Sequence, residues 1–468
     1  MVTLTGLAIV LLIACGMAAR WAGVQAEQQM LALFAEIESG ADIGMDGLTY
    51  DRGWFSSDAR YAVTLPLGAG ALTARVHDRI DHGPLFFTNG VDTGLANIHS
   101  RVRFNAKETP AVTGHTRIAL DGSSISRFHL TPLNVALTTA GGGRQVQLTA
   151  DSGSAEIRYD GPRGRLEAKA RLASLILMDA DNNERITLAE LHMQQSVAQT
   201  GRRLWLGEGL LEIASLKVTG PDIDTLTITG LKLSGSSSPD GPVFNGRIAM
   251  DLDQITTDVM QLGPGRLRLS FDRIDIDAWS RLTMLLEEIE TAADRNDALA
   301  RLLLSDGFDL LQQFSRRGPG ITIDELFLDL QDAGMLEASA RVNYPEQMQI
   351  NAFNPLAALN ALNAELNLAI PLRVAQHWFQ QSAIEQLDTY QRDTGDLFTD
   401  EEYDKLREDK VREAVRELSL NPLVTVDDER IRTRIVLDTG MVIVNDVPVA
   451  SLLNLLMPWT CAAHVACR

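Results

Sequence analysis

The chain has 468 residues, 45% of them hydrophobic but only 6% aromatic, which is material for about three domains or one extended body at roughly 150 residues per domain. Its 62 acidic and 42 basic residues leave a formal charge of −20. That balance argues against a general nucleic-acid or anionic-membrane surface role, because neutralising phosphates takes clustered Lys and Arg.

The first element is residues 2–19, an apolar run with no charged side chain before Arg20. Its length sits at the lower end of what crosses a ~30 Å hydrocarbon core as a helix. Three fates compete: an uncleaved anchor, a cleaved signal, and a lipoprotein modified at Cys15 within Leu12–Ile13–Ala14–Cys15–Gly16. No basic segment precedes the run, which counts against the last two. Val24, Met30, Leu31, Leu33, Phe34 and Ile37 continue the pattern at helical spacings up to Gly40. An uncut helix is therefore the expectation, with residues 1–40 as a membrane anchor and its amphipathic continuation.

After Gly40 the period changes from 3.6 to 2. Short alternating segments at 48–65, 72–80, 98–104, 113–120, 126–133, 145–150 and 155–159 are separated by GAG, DG, GGG and DGPRG turns. Longer ones follow at 164–178, 185–197, 204–218, 222–234, 243–257 and 265–277. Short links between sequential strands argue for antiparallel meanders over residues 41–277. A helical insertion is expected at 278–320, ending at RRGPG, then strands within 321–371. A second helical segment, 372–420, is expected to break near Thr394–Gly395 and restart at Thr399 and Glu402, which have capping-box spacing. Residues 421–468 close the chain with a hairpin at 430–437 and 441–444 and a short apolar helix at 449–457. The fold class is mainly β (α+β): an extended antiparallel sheet body with two helical insertions and an N-terminal membrane helix.

Chemistry-bearing motifs are sparse. Asp179, Asp181, Asn183 and Glu190 match calcium-loop positions 1, 3, 5 and 12, but Glu184 stands where the loop needs Gly and the flanks alternate as strands. A polar hairpin turn is the better account, and neither a metal nor a cofactor is expected. Asp81 and His82 set an acid beside an imidazole, yet neighbours on an extended chain point to opposite faces and cannot orient one another. They and Gly83–Pro84 read as a turn. There is no nucleophile elbow, Walker loop, dinucleotide fingerprint or H-E-x-x-H, and an enzyme is not expected. Tyr50, Arg52, Gly53, Trp54, Phe55, Ser56 and Ser57 concentrate aromatics in a polar setting, either an exposed binding tip or a strand start plugging the end of the core. Cys461 and Cys467 flank AAHVA; they could close a small loop or stay as two thiols.

Arg52–Gly53, Phe55–Ser56–Ser57, Asp81–His82–Gly83–Pro84, Thr131–Pro132–Leu133–Asn134, the Ile274–Trp279 stretch and the pair Gly440 and Asn445, behind an apolar N-terminal helix, together resemble the YdgA-like bacterial family. The resemblance covers essentially the whole chain. It implies an inner-membrane protein with a single N-terminal anchor and its bulk in the periplasm, and no catalytic residues can be carried over from it. The expected function is a non-enzymatic envelope protein holding lipid or another envelope component in a β groove. The alternative is an interaction module docking through the charged helix 399–418. The partners expected are the membrane and a lipid or envelope protein, with no nucleic acid.

Overall fold

The structure, a computed structural model, describes residues 44–451 except 68–69, 87–91, 105–108, 139–144, 180–181, 201–203, 222, 292–306, 346–360, 396–397, 422 and 428, together with helical residues at 19–21, 23–24 and 27–28. The expected anchor residues 2–18 and the Cys461–Cys467 pair lie outside the described residues. Among those described, no helix is long and apolar enough to cross a membrane. The chain divides into two compact units: Met1–Ser234 with Thr256–Val259, and Gly235–Ile255 with Met260–Arg468. The boundary falls inside a strand, Ile223–Asp240.

In the first unit the strand Ser56–Leu67 pairs with Gly44–Arg52 on one side and Gly70–His82 on the other. The ladder continues through Ala96–Phe104, Val112–Ile118, Ser124–Leu130 and Gly153–Asp160 to Arg165–Asp179, antiparallel throughout. That last strand forks the sheet. Its first half holds Gly153–Asp160, and from Leu175 onward it holds Gln145–Ala150, which carries Leu133–Thr138 at its far edge. Leu72 of one branch and Val135 of the other are buried together with Phe104, Leu133, Val146 and Leu148 against them. A second cluster joins Ala59, Ile80 and Ala96 with Tyr50, Ile98 and Ile118. Successive side chains on a strand point to opposite faces, so the alternation in ANIHSRVRF puts Ile98 inward and His99 outward. Beyond the fork run the long strands Glu184–Thr200 and Leu204–Gly220. The calcium-like segment is a hairpin end, with Asp179 opposite Glu184.

The second unit carries a sheet ordered Val243–Leu252, Gly265–Asp275, Gly320–Asp329, Met335–Asn343, Asn363–Pro371, Arg430–Asp438, Met441–Val444 and Val447–Ser451, each antiparallel to the next. Among the described residues the first helical insertion forms Ile276–Thr291 and Gly307–Ser315. Asp275 caps the first of them by accepting from the Ala278 amide at 2.9 Å. The second segment is Leu372–Thr394, ended by Gly395 in the left-handed region, and Asp400–Leu420, opened by the Thr399–Glu402 capping box. Tyr403 ties the two by donating to Asp388 at 2.7 Å.

One expectation is corrected. Residues 449–451, the start of the apolar helix expected at 449–457, belong instead to the strand Val447–Ser451 paired to Met441–Val444. Asn445 (φ 46°) and Asp446 (φ 66°) make a two-residue turn with both central residues left-handed, the geometry that matches strand twist, and β-branched Val447 and Val449 suit the ladder it starts.

Candidate functional site

The two motifs nearest the N-terminus meet at one end of the first unit. Strand register sets Ser56 opposite Asp81 and Ser57 opposite Ile80, so the turns before one strand and after the other lie together. The Gly53 amide donates to Ser56 O at 2.9 Å, and the His82 amide to Phe55 O at 2.8 Å. Both glycines of this region are needed for space. A Cβ on Gly53 would lie 2.5 Å from Ser56 O, and one on Gly83 only 1.7 Å from Gly94 O. Gly83 N donates to Leu95 O and Gly94 N to Pro84 O, locking the DHGP turn onto the segment that follows it.

Beneath this turn Ser57 Oγ and His82 Nε2 are 2.9 Å apart. Burial holds the His82 imidazole below its ordinary value, opposed by the Trp54 backbone and then Asp81. A serine bonded to a histidine has the form of a nucleophile and its base. Here Ser57 is 1% exposed and His82 4%, so a substrate carbonyl has no route to the hydroxyl. Asp81 does not complete a triad either: it lies 3.5 Å from Arg79 and 3.9 Å from His99, on the face away from His82. Tyr50 is half-buried against the same core, and burial raises its phenol above the ordinary value.

The helical residues after the apolar run pack onto this tip. Glu27 accepts from Arg52 at 2.5 Å, Arg20 lies 5.0 Å over the Trp54 ring, and a Cβ on Gly23 would meet the His82 ring at 2.4 Å. Trp21, Trp54 and Phe55 are each more than half exposed around it. Of the two readings of the aromatic segment, Trp54 and Phe55 are an exposed tip, while Tyr50 plugs the core. Gly23 and Gly94 were not singled out from sequence; a glycine in a helical pattern was the only signal available for the first.

The other candidate surface is in the second unit. Cross-strand register aligns Ile248, Leu269, Ile323, Ala340, Leu366, Ile435, Val444 and Val447 in one row on one face. Met250, Leu267, Leu326, Ala338 and Leu368 form the next row, and Phe271, Ile321, Val342, Ala364, Leu437 and Val442 flank the first on its other side. The apolar phase of ITIDELFLDL reverses between Ile323 and Leu326, and a bulge at that point restores both to the same face. Leu437 and Val444 are buried, but Ile248, Ile321, Val342 and Val447 are 37–48% exposed and the remainder only half-buried. Eight strands at ~4.8 Å make the longest row roughly 34 Å. On the opposite face a cleft of about 600 Å³ is lined by Arg266, Phe327, Glu337, Asn367, Arg432 and Arg434. Its arginines are matched by acids, Arg266 with Glu325 at 3.4 Å, Arg432 with Asp427 at 3.3 Å and Arg434 with Glu365 at 2.9 Å, which leaves no net charge for an anion.

The remaining motif residues also secure turns and caps. Thr131 donates through its amide and hydroxyl to Ala111 O, and Trp279 packs edge-on against Phe244 at 5.8 Å. Asn445 exchanges bonds with the Arg434 backbone, its amide donating to Arg434 O and its side-chain oxygen accepting from Arg434 N, both at 2.8 Å. Residues 1–451 match the model of a family described as bacterial protein of unknown function (DUF945). The chain belongs to that family. It is 25% identical over 436 residues to protein YdgA of Escherichia coli (strain K12), covering 85% of this chain and 82% of that protein. No solved structure matches it.

Proposed function

We propose that the protein is a non-enzymatic envelope component, anchored in the inner membrane by residues 2–19 with its body in the periplasm, and that the aliphatic face of the second unit receives the acyl chain of a lipid. The carrying observation is three aligned rows of aliphatic side chains that stay part-exposed across the sheet. Their chemistry favours lipid over protein: interface cores are enriched in aromatics, Met and Arg, whereas these rows are Leu, Ile, Val and Ala with a single Phe and Met. Size agrees, since a row of roughly 34 Å exceeds one leaflet's acyl length of about half the ~30 Å core. Each methylene covered contributes about 0.8 kcal/mol. Exposed Trp21 and Trp54, beside the residues that follow the apolar run, suit the headgroup level where amphipathic rings concentrate.

The test is lipid analysis of the full-length chain purified in mild detergent, alongside Leu366→Asp. The reading expects lipid retained by the parent and depleted in the variant; equal amounts in both would sink it. The competing reading, protein docking at Asp400–Leu420, would instead show cross-links in intact cells concentrated on that helix.

A further inference from the structure

The charge of −20 is unevenly spread: residues 1–234 hold 21 of the 42 basic residues and 24 of the 62 acidic ones, and six of the eight histidines. In the first unit the outward face of the sheet collects much of that positive charge. Register places Arg79, His99, His115, Arg127, Glu156 and Lys169 in a single row across six strands. Two residues further along each strand, Arg60, His77, Arg101, Thr113, His129, Ser154, Arg171 and His192 stand in a parallel row across eight strands. Most of these side chains are exposed. Asp58 pairs with His77, Glu156 with Arg127, Asp81 with Arg79 and more loosely His99, and Asp51 lies 3.9 Å from Arg60, whereas among the described residues Arg101, Lys169 and Arg171 have no carboxylate within ion-pair distance. His99 and His115 face each other at 4.8 Å, and the His115 imidazole is held below its ordinary value by burial, then by His99, Arg127 and Arg117.

We propose that this face docks a flexible, linear acidic polysaccharide lying across the strands. Charge complementarity requires an anion, and guanidinium forks suit carboxylates. The longer row crosses eight strands, roughly 34 Å at ~4.8 Å spacing. Adjacent strands rotate by roughly 20–25°, so over that distance the face turns too far for a planar bilayer to touch more than a few strands, while a flexible chain follows it. The two rows carry no Phe, Tyr or Trp on which nucleic-acid bases could stack. The inference is independent of the lipid reading. It refines the composition argument, because a chain acidic overall still presents one basic face.

The experiment uses the full-length chain in zwitterionic micelles, with alginate as the probe and dextran as its uncharged counterpart. Carbethoxylation of His99 and His129 is followed by mass spectrometry, and affinity is measured against ionic strength. Alginate is expected to protect both histidines and dextran neither, with protection lost as salt rises. Arg101→Glu with Arg171→Glu should weaken alginate binding by roughly tenfold or more, while Arg412→Glu on the other unit's exposed helix leaves it unchanged. The footprint on the parent protein reads the site even if the double variant fails to fold. Failure of alginate to protect the histidines, or an affinity indifferent to the double reversal, overturns the proposal. Protection by phosphatidylglycerol nanodiscs but not by alginate overturns it in favour of a membrane-docking face.

Discussion

At the tip of the first unit the chain is packed so closely that one added carbon on Gly83 would meet a carbonyl oxygen 1.7 Å away, whereas in the second unit's aliphatic rows Ile321 remains 48% exposed. The tip carries the recognisable motifs, RG-F-SS and DHGP, and Gly53, Ser57, His82 and Gly83 are held there by bonds within the turns while Trp54 and Phe55 stay exposed. The rows carry no motif, only side chains of one chemical kind kept on one face. The contrast teaches that these motifs mark how the body is built, while the part-exposed aliphatic face is written in composition and register.

Three substitutions and a pH series sharpen this contrast. The largest effect is expected at Gly83→Val, where the new side chain must displace the Gly94 backbone; thermal unfolding should show a loss of roughly 3 kcal/mol or more. Next, Ser57→Ala leaves the buried His82 Nε2 without its partner and should cost about 1–3 kcal/mol by denaturant titration. The pH series rests on the same imidazole. Because burial lowers the folded-state value of His82 below its unfolded one, the stability it contributes is complete above the ordinary histidine value. It is lost as pH falls through the lowered value. Melting temperature should therefore drop on acidification, and less steeply in His82→Gln; identical slopes would remove His82 from the account. The smallest stability effect is expected at Leu366→Asp on the half-buried row, about 1 kcal/mol, a change that nonetheless should deplete the lipid proposed to bind there.

Much of the strand pattern was legible because alternation at period 2 and Gly-rich turns are local signals. The capping box at Thr399 and Glu402 and the stop at Gly395 were equally local, and both stand where the spacing put them. Residues 449–451 run against expectation because a short apolar run has no period that separates helix from strand, and the left-handed pair Asn445–Asp446 that decides it is a backbone feature. The tip was legible in part. Asp81 and His82 diverge as an extended chain requires, but the bond between Ser57 and His82 depends on the register of two strands. The aliphatic rows were the least legible, because their alignment needs seven strand pairings and a bulge after Ile323 that no single segment reveals.

The most direct test of the central claim is cross-linking in intact cells with a phospholipid bearing a photoreactive group on its acyl chain, followed by peptide mapping of the full-length protein. Lipid binding on the second unit predicts adducts on Gly320–Asp329, Met335–Asn343 and Asn363–Pro371, reduced by Leu366→Asp. Adducts confined to residues 1–40 would contradict it.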